Sequence, residues 1–414
     1  MSPFMFWSGI IFASCFVSAH LAMMAGLIME RQRERKALSR LPGQLGTGNT
    51  DQGAAISPGV TTQPTDTTGS VKAAPVSIVI PAKNEESNLP ALFASLQAQR
   101  YAGPLEVVLI DDRSTDSTLR MFKDFQASST FPVKILHLDE NPGPNFKQKA
   151  LERGIDLASG DFLLFTDADC TMGPDWVTTM AALIGDERTA LAIGPVYKRI
   201  DGSGFFRLFQ AFDHAMRYMY LTGGAGLGVP CGGFGNNLII RKTALDAIGG
   251  YAAVPYSVTE DAALISCVRS RKEFRIRAGM SESSRVVTTP VPGWQEMITQ
   301  GLRWNNGGLF APDLETRLVF GALALSISAG VISVPFVFAV PGLWMLPAAI
   351  LVAMLMNTIA TVGMAGRMLS ASWPRLAAQL AYMPINFTLL TLLGLLGIKV
   401  SWKGDHLAGA SPRS

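Results

Sequence analysis

Three short acidic segments are the residues of this 414-residue chain best suited to bind a cation or a phosphorylated ligand. They lie at 81–86, 111–116 and 166–169. Two carboxylates one residue apart, such as Asp167 and Asp169, can both reach one cation. Hard carboxylates without a nearby imidazole or thiolate pattern favour Mg²⁺ or Mn²⁺, which proteins bind with one or two carboxylates plus substrate phosphates. An isolated acidic pair in a turn is more often a helix cap or an Asx turn.

Two further groups of residues could take part in chemistry. Thr259 is followed by Glu260 and Asp261 at the start of a predicted helix, where acidic residues also serve as ordinary N-terminal caps. Gln300, Arg303 and Trp304 have the i, i+3, i+4 spacing that places side chains on one helical face. There they could bind a diphosphate and stack on an acceptor, or mark an interfacial helix at the lipid headgroups.

The acidic segments follow predicted strands. Apolar runs predict strands at 76–80, 105–110, 133–136 and 161–165, and helical spacing occurs at 88–99, 117–125 and 147–158. Strands that alternate with helices predict an α/β fold with a doubly wound, mostly parallel sheet. Ligands of such sheets bind at the carboxyl ends of the strands. Because the acidic segments lie at three such ends, they are expected to share one site.

The glycine-rich stretch at 223–235 does not follow a first strand, so it is not a dinucleotide-binding motif. It is expected to form a flexible loop that lines a pocket and closes over the substrate. No P-loop sequence is present in the chain.

Three uncharged stretches are candidates for membrane spans. Residues 1–29 are long enough to cross a bilayer and precede a basic segment at 31–36, which is typical of the cytoplasmic side. A cleaved signal peptide is disfavoured, because the basic residues follow the apolar stretch. Residues 318–366 predict a hairpin of two spans that turns at Pro341 and Gly342.

The third stretch, 376–398, contains Gln379, Pro384 and Asn386 and is less typical of a span. If it crossed fully, Lys399 and Lys403 would lie outside, against the positive-inside rule. Either the rule does not hold here or one segment does not cross.

Composition narrows the class of protein. Hydrophobic residues make up 48% of the chain and charged residues 16%, against about 25% in an average soluble protein. A disordered chain is excluded, and a wholly soluble enzyme is disfavoured. The net charge of +3 gives no indication of nucleic-acid binding. The four cysteines form no CxxC pair, which excludes a disulfide scaffold and a zinc ribbon.

These features predict five regions. Residues 1–30 form an N-terminal transmembrane anchor, and 31–74 a basic flank and flexible linker rich in Gly, Pro, Thr and Ser. Residues 75–316 form the α/β domain and include the interfacial helix. Residues 317–400 form about three transmembrane helices, and 401–414 form a tail.

The five motifs, in this order, resemble those of the membrane-bound family 2 glycosyltransferases. This family includes polysaccharide synthases and lipid glucosyltransferases such as ceramide glucosyltransferase. The resemblance spans about residues 75–310 and implies a GT-A fold, a nucleotide-sugar donor that is often UDP-linked, and inversion at the anomeric carbon. It also implies a lipid or a growing glycan as acceptor.

The resemblance also implies a role for each motif. Asp261 would be the general base, with Glu260 beside it, and Asp167 and Asp169 would bind Mg²⁺ or Mn²⁺. The residues implied to bind donor or acceptor are Pro81, Ala82, Asn84, Glu85, Asp111, Asp112, Lys147, Asp167, Gln300, Arg303 and Trp304.

Single transfer to a membrane lipid is the leading hypothesis, and a processive synthase that exports its polymer is the alternative. Gly301, where many polymer synthases have Arg, and the small membrane portion disfavour the synthase. A non-catalytic partner in a synthase complex is a third hypothesis, and a homo-oligomer or a synthase partner would be needed to complete an export channel. The expected location is the inner membrane, with the catalytic domain in the cytoplasm.

Overall fold

The computed structural model of the chain describes residues 3–41, 73–140, 146–200, 204–365, 373–398, 401–402 and 405–406. Residues 42–72, which make up most of the predicted linker, lie outside this described part, as does most of the predicted tail.

Helices and strands alternate through the predicted α/β domain, and long helices precede and follow it. The α-helices are α1 (Pro3–Leu38), α2 (Leu89–Gln97), α3 (Thr118–Ser128), α4 (Phe146–Leu157), α5 (Trp176–Leu183), α6 (Phe205–Gly226), α7 (Lys242–Ala247), α8 (Glu260–Ser270), α9 (Trp294–Leu309), α10 (Leu314–Ser333), α11 (Met345–Ala365) and α12 (Trp373–Leu395). The strands are β1 (Val76–Ala82), β2 (Leu105–Asp112), β3 (Val133–Leu138), β4 (Phe162–Phe165), β5 (Cys170–Met172), β6 (Thr189–Ile193), β7 (Val196–Lys198), β8 (Leu238–Arg241), β9 (Arg275–Ala278), β10 (Val286–Thr288), β11 (Ser401–Trp402) and β12 (Asp405–His406).

The main sheet has the order β3-β2-β1-β4-β8-β6-β9. Its first four strands are parallel, which confirms the predicted doubly wound arrangement. Strand β8 runs antiparallel to both of its neighbours, so the sheet is mixed. Consecutive residues Ile78, Val79 and Ile80 are all fully buried, which requires that both faces of the sheet are covered.

A second, small sheet has the order β5-β10-β7 and flanks the carboxyl end of β4. Strand β10 pairs antiparallel with β5 and parallel with β7. This pairing brings Thr288 opposite Cys170 and Lys198, so both Thr288 and Lys198 lie close to Asp169.

Three helical segments of the described chain are long and apolar enough to cross a membrane. They are Trp7–Leu38, Leu314–Phe336 and Met345–Ala365. The last two confirm the predicted hairpin, and its turn includes Gly342 in the left-handed region, with φ of +87°. Glycine is suited to this turn because it lacks the Cβ that disfavours positive φ.

The last apolar stretch forms helix α12, which is 23 residues long. Within the described residues, the apolar part of α12 is the short segment Met383–Leu395, and Pro384 lies inside the helix. Its C-terminal part packs against α9, where Leu390 and Leu302 form a buried cluster. The end of α12 therefore lies on the same side as the α/β domain. Of the three expected C-terminal spans, the described residues contain two helical segments of spanning length, Leu314–Phe336 and Met345–Ala365, and the apolar segment Met383–Leu395 of α12.

The basic end of α1 is attached to the α/β domain. The helix continues to Leu38, beyond the predicted anchor boundary at residue 30. The Glu30 carboxylate accepts a hydrogen bond from the Ala278 backbone N–H at 2.9 Å, and that of Glu34 accepts two more from the backbone after β9. Arg33 donates to the Gly226 carbonyl at 2.8 Å. These contacts orient the domain relative to its N-terminal helix.

The prediction of a loop at the start of the glycine-rich stretch is wrong. Gly223, Gly224 and Gly226 belong to α6 and are buried. A Cβ atom added at Gly226 would overlap the carbonyl group of Gly26, so the glycines allow α6 and α1 to cross at backbone contact. Only the following residues, 227–237, have an irregular conformation.

Candidate active site

The loops that follow β1 and β2 brace each other. Asn84 has φ of +56° and its side-chain oxygen accepts a hydrogen bond from the Thr115 N–H at 2.7 Å. The Asn84 N–H donates to the Ser114 hydroxyl at 3.0 Å. Asn tolerates this left-handed conformation better than most residues. Asn84 therefore shapes the loop and does not line the cavity beside it.

The predicted pair Asp111 and Asp112 is divided between two environments. Consecutive residues of a strand point to opposite faces. Asp111 is fully buried, and its Oδ2 lies 2.6 Å from Nδ1 of His137. Asp112 faces the cavity and forms a two-point hydrogen bond with Arg113. Asp112 is thus available to a ligand, whereas Asp111 holds the neighbouring strand.

The strand ends and the helices α4, α6, α8 and α9 enclose a cavity of about 170 Å³. Most of the residues that the sequence singled out line it. They are Pro81, Ala82, Glu85, Asp112, Lys147, Asp167, Asp169, Glu260, Asp261, Gln300, Arg303 and Trp304. We refer to this space as the polar cavity.

A cationic side chain from α4 links two of the acidic motifs. Lys147 Nζ lies 2.8 Å from the Glu260 carboxylate and 3.6 Å from that of Asp167. Burial opposes the charged form of Glu260, but Lys147 and Arg303 outweigh burial and lower its pKa. Burial raises the pKa of Asp167, Lys147 opposes this, and the charge of Asp169 reinforces it. The negative charge of Asp167 is therefore less well compensated by nearby cations than that of Glu260.

Asp167 and Asp169 can supply only some of the ligands that a hard divalent cation needs. Asp169 Oδ2 accepts a hydrogen bond from the Thr288 hydroxyl at 2.8 Å. The described residues contain no group of three or more His, Cys, Asp or Glu side chains that could hold a metal ion. Magnesium, however, is commonly held by one or two carboxylates, water and substrate phosphates. The two carboxylates at the polar cavity fit that mode, in which the substrate supplies the other ligands.

Asp261 lies at the start of α8, and two backbone N–H groups hold its carboxylate. Gly235 N–H donates to its Oδ2 and Ala262 N–H to its Oδ1, both at 2.8 Å. Burial, together with the charge of Glu260, raises the pKa of Asp261 to about 6. A carboxylate with this pKa is ionised at neutral pH and is a stronger base than an ordinary aspartate.

Helix α9 brings the Gln300, Arg303 and Trp304 side chains to the polar cavity, as their spacing predicts. Arg303 acts electrostatically on Asp167 and Glu260. The Trp304 ring is covered by the Arg217 guanidinium, whose carbon lies 5.3 Å from the ring centroid. This cation–π contact joins α9 to α6.

Lys198 and His214 are among the polar-cavity residues that were not predicted from sequence. Lys198 of β7 is 4% exposed, its Nζ donates to the Thr289 carbonyl at 3.3 Å, and burial lowers its pKa. His214 of α6 stacks on Phe234 with ring centroids 4.2 Å apart. An isolated lysine in a short strand carries no sequence signal. His214 had a weak signal, because it stands between Asp213 and Arg217 in a helix whose residues are mostly apolar.

A second, apolar cavity of about 260 Å³ adjoins the first. The two share four lining residues, which are Phe234, Thr259, Asp261 and Trp304. Its other walls come from α1, α6 and the membrane helices, and include Met23, Phe320 and Met354. Asp261 is therefore accessible from a charged space on one side and from a space between apolar helices on the other.

Parts of the chain are similar to a known family and to known glycosyltransferases. Residues 77–259 match the family model described as glycosyl transferase family 2. A PGL/p-HBAD biosynthesis glycosyltransferase of Mycobacterium bovis is 40% identical over 144 residues, which are 34% of this chain and 53% of that protein. A dolichol-phosphate mannosyltransferase of Pyrococcus furiosus is 33% identical over 122 residues, which are 30% of this chain and 33% of that protein.

Among solved structures, a mannosyltransferase from Pyrobaculum calidifontis in complex with GDP-Man and Mn²⁺ superimposes with a TM-score of 0.49 at 16% identity. The match covers 94% of this chain and 99% of that chain.

This match identifies residues 77–259 as a glycosyltransferase family 2 domain, which confirms the family resemblance over that range. The matched range ends just before Glu260, so Glu260, Asp261 and the α9 residues lie outside it. The chain spans about half the length of the first of these curated relatives.

Proposed function

We propose that the chain is an inverting glycosyltransferase that moves a sugar from a nucleotide-sugar, with a UDP-sugar as the expected donor, to a membrane lipid. One observation carries the proposal. Asp261 lies on the boundary between a cavity lined by charged residues and a cavity formed by apolar helices. A base in this position can serve a donor on one side and a lipid acceptor on the other.

The polar cavity is assigned to the donor. The turn from Pro81 to Glu85 and the Asp112 carboxylate would contact the nucleoside, and Arg303 would face the diphosphate. A guanidinium offers paired donors that match phosphate geometry. Asp167 and Asp169 would hold Mg²⁺ or Mn²⁺, which supplies charge neutralisation at the diphosphate when bound.

The apolar cavity is assigned to the acceptor. It is bounded by helices long and apolar enough to span a membrane, among them α10 and α11. Burial of an acyl chain there contributes about 0.8 kcal/mol per CH₂ group. The hydrophobic effect would therefore hold the lipid while its head group reaches Asp261.

Catalysis requires one base and a stabilised leaving group. Asp261 accepts the proton of the acceptor hydroxyl, and the hydroxyl oxygen attacks the anomeric carbon from the face opposite the diphosphate. Glu260 is paired with Lys147 at 2.8 Å and keeps that cation in place beside Asp167. A single displacement of this kind inverts the anomeric configuration.

The proposed location is the inner membrane with the catalytic domain in the cytoplasm. The basic residues that follow the α1 span favour the cytoplasmic side. In the structure, this same end of α1 is hydrogen-bonded to the α/β domain through Glu30, Arg33 and Glu34. The domain and the basic flank are therefore on one side.

The test uses the purified full chain in nanodiscs with Mn²⁺ or Mg²⁺, a panel of radiolabelled UDP- and GDP-sugars, and total membrane lipids. We expect label in the organic phase, with an inverted anomeric configuration by NMR. Asp261→Asn should lower the rate about 100-fold or more, because the base is lost. Glu282→Gln, which removes an 82% exposed carboxylate of a surface ion pair, is the matched control and should retain activity.

Other products would contradict the proposal. A high-mass ladder in the aqueous phase would show a polysaccharide synthase. A product with retained configuration would exclude the single displacement at Asp261. No transfer from any donor, with a folded protein, would exclude the enzyme assignment.

A further inference from the structure

The wall between the two cavities carries polar side chains that the catalytic roles above do not use. Asp213, His214 and Arg217 lie on α6, and the first and third share one helical face. Asp213 and Arg217 line the apolar cavity, whereas His214 lines the polar one. A small space between the cavities is lined by all three and by Trp304 and Asn386.

Several polar atoms in this wall are buried without a partner among the described residues. Asp213 is 8% exposed, and its Oδ1 has no hydrogen-bond partner there. His214 is 3% exposed, and neither ring nitrogen has one. Buried polar groups are normally hydrogen-bonded, and unsatisfied ones are costly. A bound ligand with hydroxyl groups would supply both donors and acceptors to these atoms.

The charge of the wall disfavours an anionic ligand. The charged residues among the described lining of the apolar cavity are Asp213, Arg217 and Asp261. Arg217 Nε donates to Asp213 Oδ2 at 2.9 Å, so its charge is already offset. Lys198 lines the small space but donates to the Thr289 carbonyl on the donor side. A lipid phosphate entering from the membrane would meet the Asp213–Arg217 ion pair, whose charges offset each other, and the Asp261 carboxylate, which repels it.

We infer that Asp213, His214, Arg217 and Asn386 form a head-group subsite for a neutral, hydroxyl-bearing lipid acceptor, as opposed to a lipid phosphate. This inference rests on the proposed function. A neutral alcohol needs the base at Asp261, whereas a phosphate is already ionised at neutral pH. Burial, together with the charges of Lys198 and Arg217, lowers the pKa of His214, so its neutral ring can both donate and accept.

The test compares acceptors on the full chain in nanodiscs, with the donor found above. The neutral probes are dioleoylglycerol and ceramide, and the anionic probe is a polyprenyl phosphate. Transfer to an alcohol gives a glycoside that survives mild acid, whereas transfer to a phosphate gives an acid-labile glycosyl phosphate. We expect acid-stable products, formed at least about tenfold faster than any labile product, because like charges in contact are strongly unfavourable.

A variant tests the subsite separately from the acceptor class. Asp213→Asn retains the shape but removes the charge, and should raise KM for the neutral lipid about tenfold, since hydrogen bonds to charged groups are the stronger ones. The KM for the donor should not change. Glu282→Gln, a charge-removing change at the surface, should leave both values unaltered.

Each other outcome overturns the inference in a distinguishable way. Acid-labile product from the polyprenyl phosphate alone would overturn it and leave lipid glycosylation standing. A proportional change of both KM values in Asp213→Asn would show a structural role only. Label in a polymer, or in no product, would overturn both the inference and the proposed function.

Discussion

The Asp261 carboxylate is both held by backbone hydrogen bonds and raised in pKa by its surroundings. Two backbone N–H groups, from Gly235 and Ala262, hold its carboxylate at 2.8 Å. These hydrogen bonds favour the charged form, but burial and the nearby Glu260 outweigh them and raise the pKa to about 6. The orientation of the Asp261 carboxylate is therefore set by backbone hydrogen bonds, and its basicity by burial and a neighbouring charge.

The pH dependence of kcat/KM should report this pKa. Asp261 in its proposed role as general base works in the deprotonated form, so activity should fall by about tenfold per pH unit below a pH near 6. Glu260→Gln removes a negative charge that raises the pKa of Asp261, so the acid limb of the pH–rate profile should move to lower pH. The measurement is a set of pH–rate profiles of wild type and variant at saturating metal.

Asp186→Asn, which removes a 44% exposed carboxylate of a surface ion pair, is the control and should leave the acid limb in place. An acid limb that stays at the same pH in Glu260→Gln would contradict the assignment of this limb to Asp261.

Metal removal tests the role of Asp167 and Asp169. Chelation should abolish transfer, and Mn²⁺ or Mg²⁺ should restore it, because the diphosphate leaving group needs charge neutralisation. Asp169→Asn should raise the metal concentration for half-maximal rate about tenfold, since a charge-assisted ligand is lost. Full activity in the presence of chelator would contradict this role.

At the scale of single elements, the crossing of α1 and α6 is formed by glycines. Gly26 faces Gly223, and Gly226 faces the Gly26 carbonyl. Glycine is less favourable than Ala in a helix by about 1 kcal/mol, which is why this stretch resembles a loop in sequence. Close packing of the two backbones outweighs that propensity here.

The crossing predicts the outcome of Gly226→Ala. The added methyl group would overlap the Gly26 backbone, and such overpacking typically costs 1–3 kcal/mol. We expect a lower melting temperature in detergent, and reduced transfer, because the α6 wall would shift. Gly321→Ala is the matched control, since a Cβ atom there meets nothing within 4 Å. Equal stability of the two variants would contradict the close crossing.

At the scale of the whole molecule, the long apolar helices and the α/β domain are joined by direct contacts. The first span ends in carboxylates bound to the domain, and α12 returns to α9. The apolar cavity is formed by elements from both ends of the chain, including Met23 and Phe387. The apolar cavity, and with it the proposed acceptor site, thus depends on the assembly of segments that are distant in sequence.

This arrangement predicts the sidedness of both ends of the chain. A tag before α1 should lie across the membrane from the domain, whereas a tag after residue 398 should lie on the domain side, because α12 ends beside α9. Protease treatment of sealed inverted vesicles should remove the second tag and spare the first. A tag inserted at position 55, in the predicted linker, is the control for the domain side.

Protection of the tag after residue 398 would show that α12 crosses the membrane completely. Removal of the tag before α1 would show that the first apolar helix does not cross.

The sequence by itself determined the parts of this protein that depend on local order. Apolar runs and helical spacing predicted the first four strands and the helices between them, because those patterns span only a few residues. The acidic motifs follow these strands, so parallel pairing was enough to bring Asp112, Asp167 and Asp169 to one edge of the sheet. Helical spacing likewise placed Gln300, Arg303 and Trp304 on one face.

Only the tertiary structure decided what depends on contacts between distant segments. Asp111 and Asp112 lie in separate environments because they point to opposite faces of the sheet, and only the fold shows what covers each face. Lys198 reaches the cavity through the pairing of β7 with β10. The apolar cavity, the crossing at Gly26 and the return of α12 all require helices far apart in sequence. Such packing leaves no periodic signal in the sequence, because the residues that contact each other are far apart along the chain.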